Sequence, residues 1–104
     1  SRFSKIGGEM GPHGHVEETL NELADQNAQV FAVTGVPDEK KGERLVVIHT
    51  ASAELLEEVL MKLSDASIPN LWKPKRGQFL AVPKLPYLGT GKLDLKGLQR
   101  IAEG

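Results

Sequence analysis

Lys92 stands in the run Leu85-Pro86-Tyr87-Leu88-Gly89-Thr90-Gly91-Lys92-Leu93-Asp94, where two glycines bracket Thr90 and Pro86 stiffens the approach. Gly89 and Gly91 are expected to take positive φ and to bring the backbone close to a ligand. A lysine delivered on such a turn is a hydrated point charge that can be aimed at a phosphate or a carboxylate. A P-loop is a different pattern: it needs a longer glycine loop and Ser or Thr after the lysine, where this chain has Leu93. An isolated Gly-x-Gly-Lys also occurs in ordinary surface turns, so the weight of the match depends on the rest of the chain.

Other chemistries are poorly supplied. The 104 residues include no cysteine, which excludes disulfides, thiolate nucleophiles and cysteine-rich zinc sites. His13 and His15 flank Gly14 at a helix start and His49 sits in an apolar strand, places for ordinary surface or partly buried histidines, so no metal site is expected. The net charge of −1 conceals an asymmetry: Lys73, Lys75, Arg76, Lys84, Lys92, Lys96 and Arg100 crowd the last third, a distribution able to steer an acidic partner. Nucleic acid is disfavoured, since only Trp72, Phe79 and Tyr87 offer stacking surface there and the pI is about 6.3. No apolar run approaches the ~20 residues that span a bilayer, so direct membrane insertion is not expected.

The elements that must position Lys92 follow from periodicity and caps. Phe3 to Ile6 predicts a short strand running into the Gly7-Gly8 bend, with Glu9-Met10 returning. Pro12 suits a first helical turn, after which Val16, Leu20, Leu23 and Ala24 fall at helical spacing and leave Glu17, Glu18, Asn21 and Glu22 for the solvent side. Gln29–Val36 and Leu45–Thr50 predict a hairpin across the charged link Asp38–Gly42. Ser52 caps a helix with the stripe Leu55, Leu56, Val59, Leu60 and Leu63. The proline-rich segment through Pro74 is irregular, Phe79–Val82 predicts a third strand, and Asp94 caps a last helix lined by Leu95, Leu98, Ile101 and Ala102. The class is α+β in one domain.

Three stretches, in this order, resemble the C-terminal domain of the adenylate-forming enzymes, the superfamily of acyl-CoA synthetases, luciferases and peptide adenylation domains. They are Ser1-Arg2-Phe3-Ser4-Lys5-Ile6-Gly7-Gly8-Glu9-Met10-Gly11-Pro12 with Val16-Glu17-Glu18, then Val33-Thr34-Gly35-Val36-Pro37-Asp38 with Gly42-Glu43, and the lysine turn. The resemblance implies a short hinge-proximal hairpin plus a three-stranded sheet, mixed or antiparallel, packed with about three helices. It implies a mobile lid domain, residues 1–104, that begins near a hinge at Ser1 and Arg2 and works against an N-terminal ATP-binding domain outside this sequence. ATP and Mg2+ belong mainly to that domain. Lys92 is then the catalytic lysine, with Gly89, Thr90 and Gly91 as its substrate-facing turn, and Gly7 and Gly8 line a tunnel for the phosphopantetheine arm of the acceptor. Glu17 matches a family glutamate whose expected role is structural.

Within the family, Arg2–Met10, Ile68-Pro69-Asn70-Leu71 and the lysine turn look like the bacterial acyl-acyl carrier protein synthetase / 2-acylglycerophosphoethanolamine acyltransferase group. That implies an ATP-dependent ligase joining a fatty acid to acyl carrier protein, within a bifunctional cytoplasmic enzyme whose membrane association comes from other domains. Met10 stands where acetyl-CoA synthetases often place an arginine for the CoA nucleotide. A long-chain acyl-CoA synthetase domain is the alternative, and a non-catalytic interaction domain of the same fold is another. The isolated domain is expected to be folded and inert.

Overall fold

The computed structural model describes residues 2–104. Strands β1 (Phe3–Ile6) and β2 (Glu9–Pro12) form a hairpin that leads directly into helix α1 (His13–Ala24). Strands β3 (Phe31–Asp38) and β4 (Gly42–His49) pair antiparallel along their whole length. Helix α2 (Ala53–Leu63) then carries the chain back so that β5 (Phe79–Ala81) lies parallel to β4, from Val47↔Phe79 to His49↔Ala81. Helix α3 (Leu95–Glu103) closes the domain. A parallel pair needs a crossover of this kind, and α2 supplies it. The expected hairpin and three-stranded sheet are joined into one mixed sheet of five strands through the single pairing Ile6↔Gly42.

Helices α1 and α2 cover one face of the sheet, burying Val16, Leu20, Phe31, Val33, Val47 and Val59 together. Helix α3 covers the other face, where Leu85 and Leu98 pack on Ala32, Val36, Val46 and Ile48. Burial on both faces explains why β3 and β4 read as continuous apolar runs instead of alternating ones. The α2 boundaries follow from Ser52, whose hydroxyl accepts the Leu55 amide at 3.1 Å, and from Glu54 and Lys62 placed at the matching ends of the helix dipole.

Several expectations need correction. Pro12 ends β2 and is the residue before α1, not part of its first turn. Strand β4 begins at Gly42, because Glu43 and Arg44 still pair with Pro37 and Val36 at the sheet's solvated end. The segment through Pro74 is not wholly irregular: it holds a 3-10 turn, Asn70–Trp72, and a second, Arg76–Gln78, follows it before β5. Leu95 is exposed and the α3 stripe is Leu98, Ile101 and Ala102, with Gly97 buried where a Cβ would lie 3.2 Å from Pro86 Cβ.

Glu17 and Asn21 do not face solvent alone. Strand β3 is an edge strand, and an open edge exposes amides that need partners. Asn21 Oδ1 accepts the amides of Val30 at 2.8 Å and Phe31 at 3.0 Å, while its Nδ2 donates to Phe31 O at 2.9 Å. Glu17 Oε1 accepts the Val33 amide at 2.9 Å, and Gln99 Nε2 donates to Gly35 O at 2.9 Å. Side chains of α1 and α3 thus take the place of a neighbouring strand.

Candidate functional site

The lysine turn is a tight hairpin loop. Leu88 N donates to Lys92 O at 2.7 Å, Gly91 N donates to Leu88 O at 2.9 Å, and Tyr87 bridges Leu93. Gly91, at φ 88°, is the left-handed residue that a three-residue hairpin loop places before its return arm. Gly89 is not at positive φ, so the expectation of two left-handed glycines is corrected to one. Thr90 Oγ1 lies 3.5 Å from Lys92 N, at the limit of a hydrogen bond. Below the turn, Asp94 N donates to Pro86 O at 2.9 Å and Asp94 Oδ1 accepts the Gly97 amide at 3.0 Å, capping α3. Leu85 and Leu93 pack into the α3 face. Lys92 itself is exposed, and among the described residues its ammonium has no hydrogen-bond or ion-pair partner. A fixed base carries a free charge.

The first two motif stretches meet at the β1–β2 hairpin. Gly7 and Gly8 turn the chain at φ 57° and 88°, and Gly7 N donates to Lys41 O at 3.0 Å. Lys5 N donates to the Glu43 carboxylate, and Gly42, at φ 89°, leaves room for Lys5 O. Buried Ser4 rests against Gly35, with Ser4 Oγ 2.6 Å from His13 Nε2. Burial and then the nearby Arg2 charge lower the His13 pKa to about 4, so this pair is neutral at pH 7. The motif glycines and Glu43 are therefore the seat of the hairpin. Nothing lies within 4 Å of a Cβ built on Gly8, which faces open space.

Beside this turn runs a groove of about 210 Å³ whose lining includes Ile6, Lys41, Arg44, Trp72, Lys73 and Lys75. Leu71 extends its wall to Gly7, approaching to 3.6 Å of a Cβ position there. Arg44 also contacts Asp38 at 3.5 Å. The Lys41 amide is the main reason that the Asp38 carboxyl sits below the usual carboxylate range. The Trp72 indole N–H is buried without a partner among the described residues. Sequence reasoning missed this groove, because its cations come from segments about thirty residues apart. The basic last third is also not one patch: Arg76 pairs with Glu57, Lys96 lines a separate cavity with Arg2, and Lys73 and Lys75 belong to the groove. Phe79 is no stacking platform, since it packs edge-on against Phe31 and His49.

The structure does not bring the two turns together. The glycine turn and groove belong with the α1–α2 face through Ile6 and Trp72, whereas the lysine turn belongs with the α3 face. Among the described residues no hydrogen bond or shared cavity joins them. Of the two residues expected at a hinge, Arg2 is held against α1 and Ser1 lies outside the described residues.

Residues 15–92 match the family described as AMP-binding enzyme C-terminal domain. The chain belongs to that family. The match takes in the second motif stretch, the groove lining other than Ile6, and the lysine turn as far as Lys92. Similar solved structures include a fatty acyl CoA synthetase of Mycobacterium tuberculosis, at 21% identity and TM-score 0.77, where 96% of this chain covers 19% of the other. MatB of Rhodopseudomonas palustris is 22% identical with TM-score 0.76, over 97% of this chain and 20% of MatB. MbtA of Mycobacterium smegmatis is 26% identical with TM-score 0.70, over 94% and 18%. A Thermococcus barophilus protein named alcohol dehydrogenase is 32% identical over 78 residues, 75% of this chain and 20% of that protein. This AMP-binding C-terminal domain thus spans about a fifth of the length of the proteins it matches. No helix among the described residues is long and apolar enough to cross a membrane.

Proposed function

We propose that this domain is the mobile lid, residues 1–104, of a larger acid–thiol ligase whose N-terminal domain binds ATP, and that Lys92 is its catalytic lysine. The observation that carries the reading is Lys92 itself: an exposed ammonium, unpaired among the described residues, raised on a hairpin loop anchored by Asp94 and Leu93. In the first half-reaction a fatty-acid carboxylate oxygen attacks the α-phosphorus of ATP, forming the acyl–phosphate bond and expelling pyrophosphate. The carboxylate, the α-phosphate and the departing pyrophosphate crowd negative charge at one centre, with charge growing on the pyrophosphate, and an ammonium aimed there lowers the barrier. In the second, the acceptor thiol adds to the acyl carbonyl, gives up its proton, and AMP leaves with the electron pair of the broken C–O bond. Mg2+ is assigned, with the ATP phosphates, to the N-terminal domain. No step is assigned to it in this domain.

Gly7, Gly8 and the adjoining groove suit the second half-reaction. Gly8 leaves a narrow thiol-bearing arm unobstructed, and Lys41, Lys73 and Lys75 can meet its phosphate. The opposite placement of the two turns fits a domain that presents one, then the other, by rotation about a hinge before Phe3. We infer a phosphopantetheinylated acyl carrier protein as the acceptor, in a bifunctional parent with a separate acyltransferase part. Exposed Met10, on β2 beside the glycine turn, offers no cation to a CoA nucleotide. CoA shares the same arm and phosphate and is the alternative acceptor.

The test is fatty-acid-dependent ATP–pyrophosphate exchange in the full-length parent, wild type against Lys92→Ala. A loss of about 10²–10³-fold is expected for removing a preorganised charge from the reacting centre. Thioester formation from preformed acyl-adenylate should persist in the same variant. Equal loss of both half-reactions would overturn the two-pose assignment, and unchanged exchange would leave a domain with the fold but not the chemistry. Titration with holo-carrier protein and with CoA then decides the acceptor.

A further inference from the structure

Arg2 is tied down twice. Its carbonyl accepts the His13 amide at 2.8 Å, extending the β1–β2 ladder by one rung, and its guanidinium donates to Glu17 Oε1 at 2.8 Å. The same Oε1 accepts the Val33 amide at 2.9 Å, so one carboxylate oxygen joins the chain before β1 to α1 and to the edge of β3. Both side chains are shielded, at 27% and 18% exposure, which makes the pair less screened than a surface ion pair.

The hairpin's other moorings are Ile6, buried in the core of the α1–α2 face, and contacts at its two ends. At its turn end it meets the sheet through Ile6↔Gly42, the Gly7 amide on Lys41 O and the Lys5 amide on Glu43. At its open end Ser4 is seated on Gly35 and the Arg2 contacts complete the attachment. We propose that the Arg2–Glu17 pair is a latch that makes Arg2 part of the rigid domain, so that rotation occurs at torsions before Arg2, and that the latch positions the Gly7–Gly8 turn for thioester formation. Both are positioning residues, and neither touches the reacting atoms. The lysine turn hangs from α3 and depends on the latch less.

This inference rests on the ligase reading for its kinetic consequence but not for its structural one. In the full-length parent, Arg2→Gln and Glu17→Gln each remove the ion pair, and Glu17→Gln keeps an oxygen for the Val33 amide. Each should lower thioester formation relative to adenylation by about fivefold, the double variant should be no worse than either single, and Arg2→Lys should restore most of the ratio. Hydrogen exchange of the His13 amide should quicken in both single variants. An unchanged ratio in an active parent, or additive losses in the double variant, would overturn the latch. So would unchanged His13 exchange, whatever the activity, whereas quickened exchange in a parent lacking ATP-dependent adenylation would keep the latch and sink the ligase reading.

Discussion

Ser4 Oγ occupies the space that a side chain on Gly35 would need: a Cβ built on Gly35 lies 1.9 Å from it and 3.2 Å from His13 Nε2. The glycine of the Gly-x-Pro-Asp stretch is thus a packing requirement of the hairpin, made by a residue thirty-one positions earlier. Gly35→Ala should destabilise the domain by about 1–3 kcal/mol through overpacking, read as a lower urea midpoint. Adding Ser4→Ala should recover part of that loss, because the hydroxyl is the nearest obstacle while Ser4 Cβ, also 3.2 Å away, remains.

Two buried histidines, His13 and His49, make the fold acid-sensitive. Burial lowers the pKa of both His13, to about 4 from 6.5, and His49. Between those values the unfolded chain holds more protons than the native one, so stability is full above pH 6.5 and falls as the pH drops toward 4. Each histidine contributes a slope of at most about 1.4 kcal/mol per pH unit. Urea titrations at pH 7, 6 and 5 should show the decline, and His13→Gln should flatten it. A stability that does not change from pH 7 to 5 would contradict the burial of both rings.

The edge of β3 gives a third expectation. Asn21 makes three hydrogen bonds to Val30 and Phe31, and Asn21→Ala strips them at once. At about 1 kcal/mol each the loss is roughly 2–4 kcal/mol. The bared edge should also self-associate, seen by light scattering at concentrations where the wild type stays monodisperse.

How legible this was in the sequence depends on the kind of signal. Helix α2 could be read directly, because Ser52 and the spacing of Val59 and Leu63 each carry their own physics. Glu17 and Asn21 could not, since periodicity separates polar from apolar but cannot tell a side chain that caps a strand edge from one that meets water. The lysine turn was found by its residues. Its shape was half missed, because Gly-x-Gly does not say which glycine stands at the left-handed position. The loop length does: with Leu88 and Lys92 as flanks, the third loop residue is the left-handed one. The groove had no local signal at all, being assembled by the β4–α2–β5 crossover from Lys41 and Arg44 on one side and Lys73 and Lys75 on the other.

That distinction between the glycines is measurable. Gly91→Ala forces a Cβ into left-handed backbone at a cost of about 1–2 kcal/mol, and should distort the turn beneath Lys92. Gly89→Ala meets nothing within 4 Å and should stay within about 0.5 kcal/mol of wild type. In the parent, pyrophosphate exchange should fall roughly tenfold for Gly91→Ala, as expected for a misplaced catalytic group, and remain near wild type for Gly89→Ala. Equal effects would mean that the left-handed residue does not aim the lysine.

The groove is tested by reversing its charge. Lys73 and Lys75 line it beside Lys41 and Arg44, whereas Lys40 is exposed and lies outside its lining. If the groove holds the phosphate of the acceptor arm, Lys75→Glu should slow thioester formation relative to adenylation by about tenfold, mainly through the KM for acceptor, since a repulsive charge replaces an attractive one. The defect should grow at low ionic strength, where the added carboxylate is least screened. Lys40→Glu changes the net charge equally but should move the ratio less than about twofold if only long-range steering is altered. Similar effects at both positions would assign the cations to general steering of an acidic partner. An effect confined to Lys75, and shared by carrier protein and CoA, would place the common phosphate in the groove.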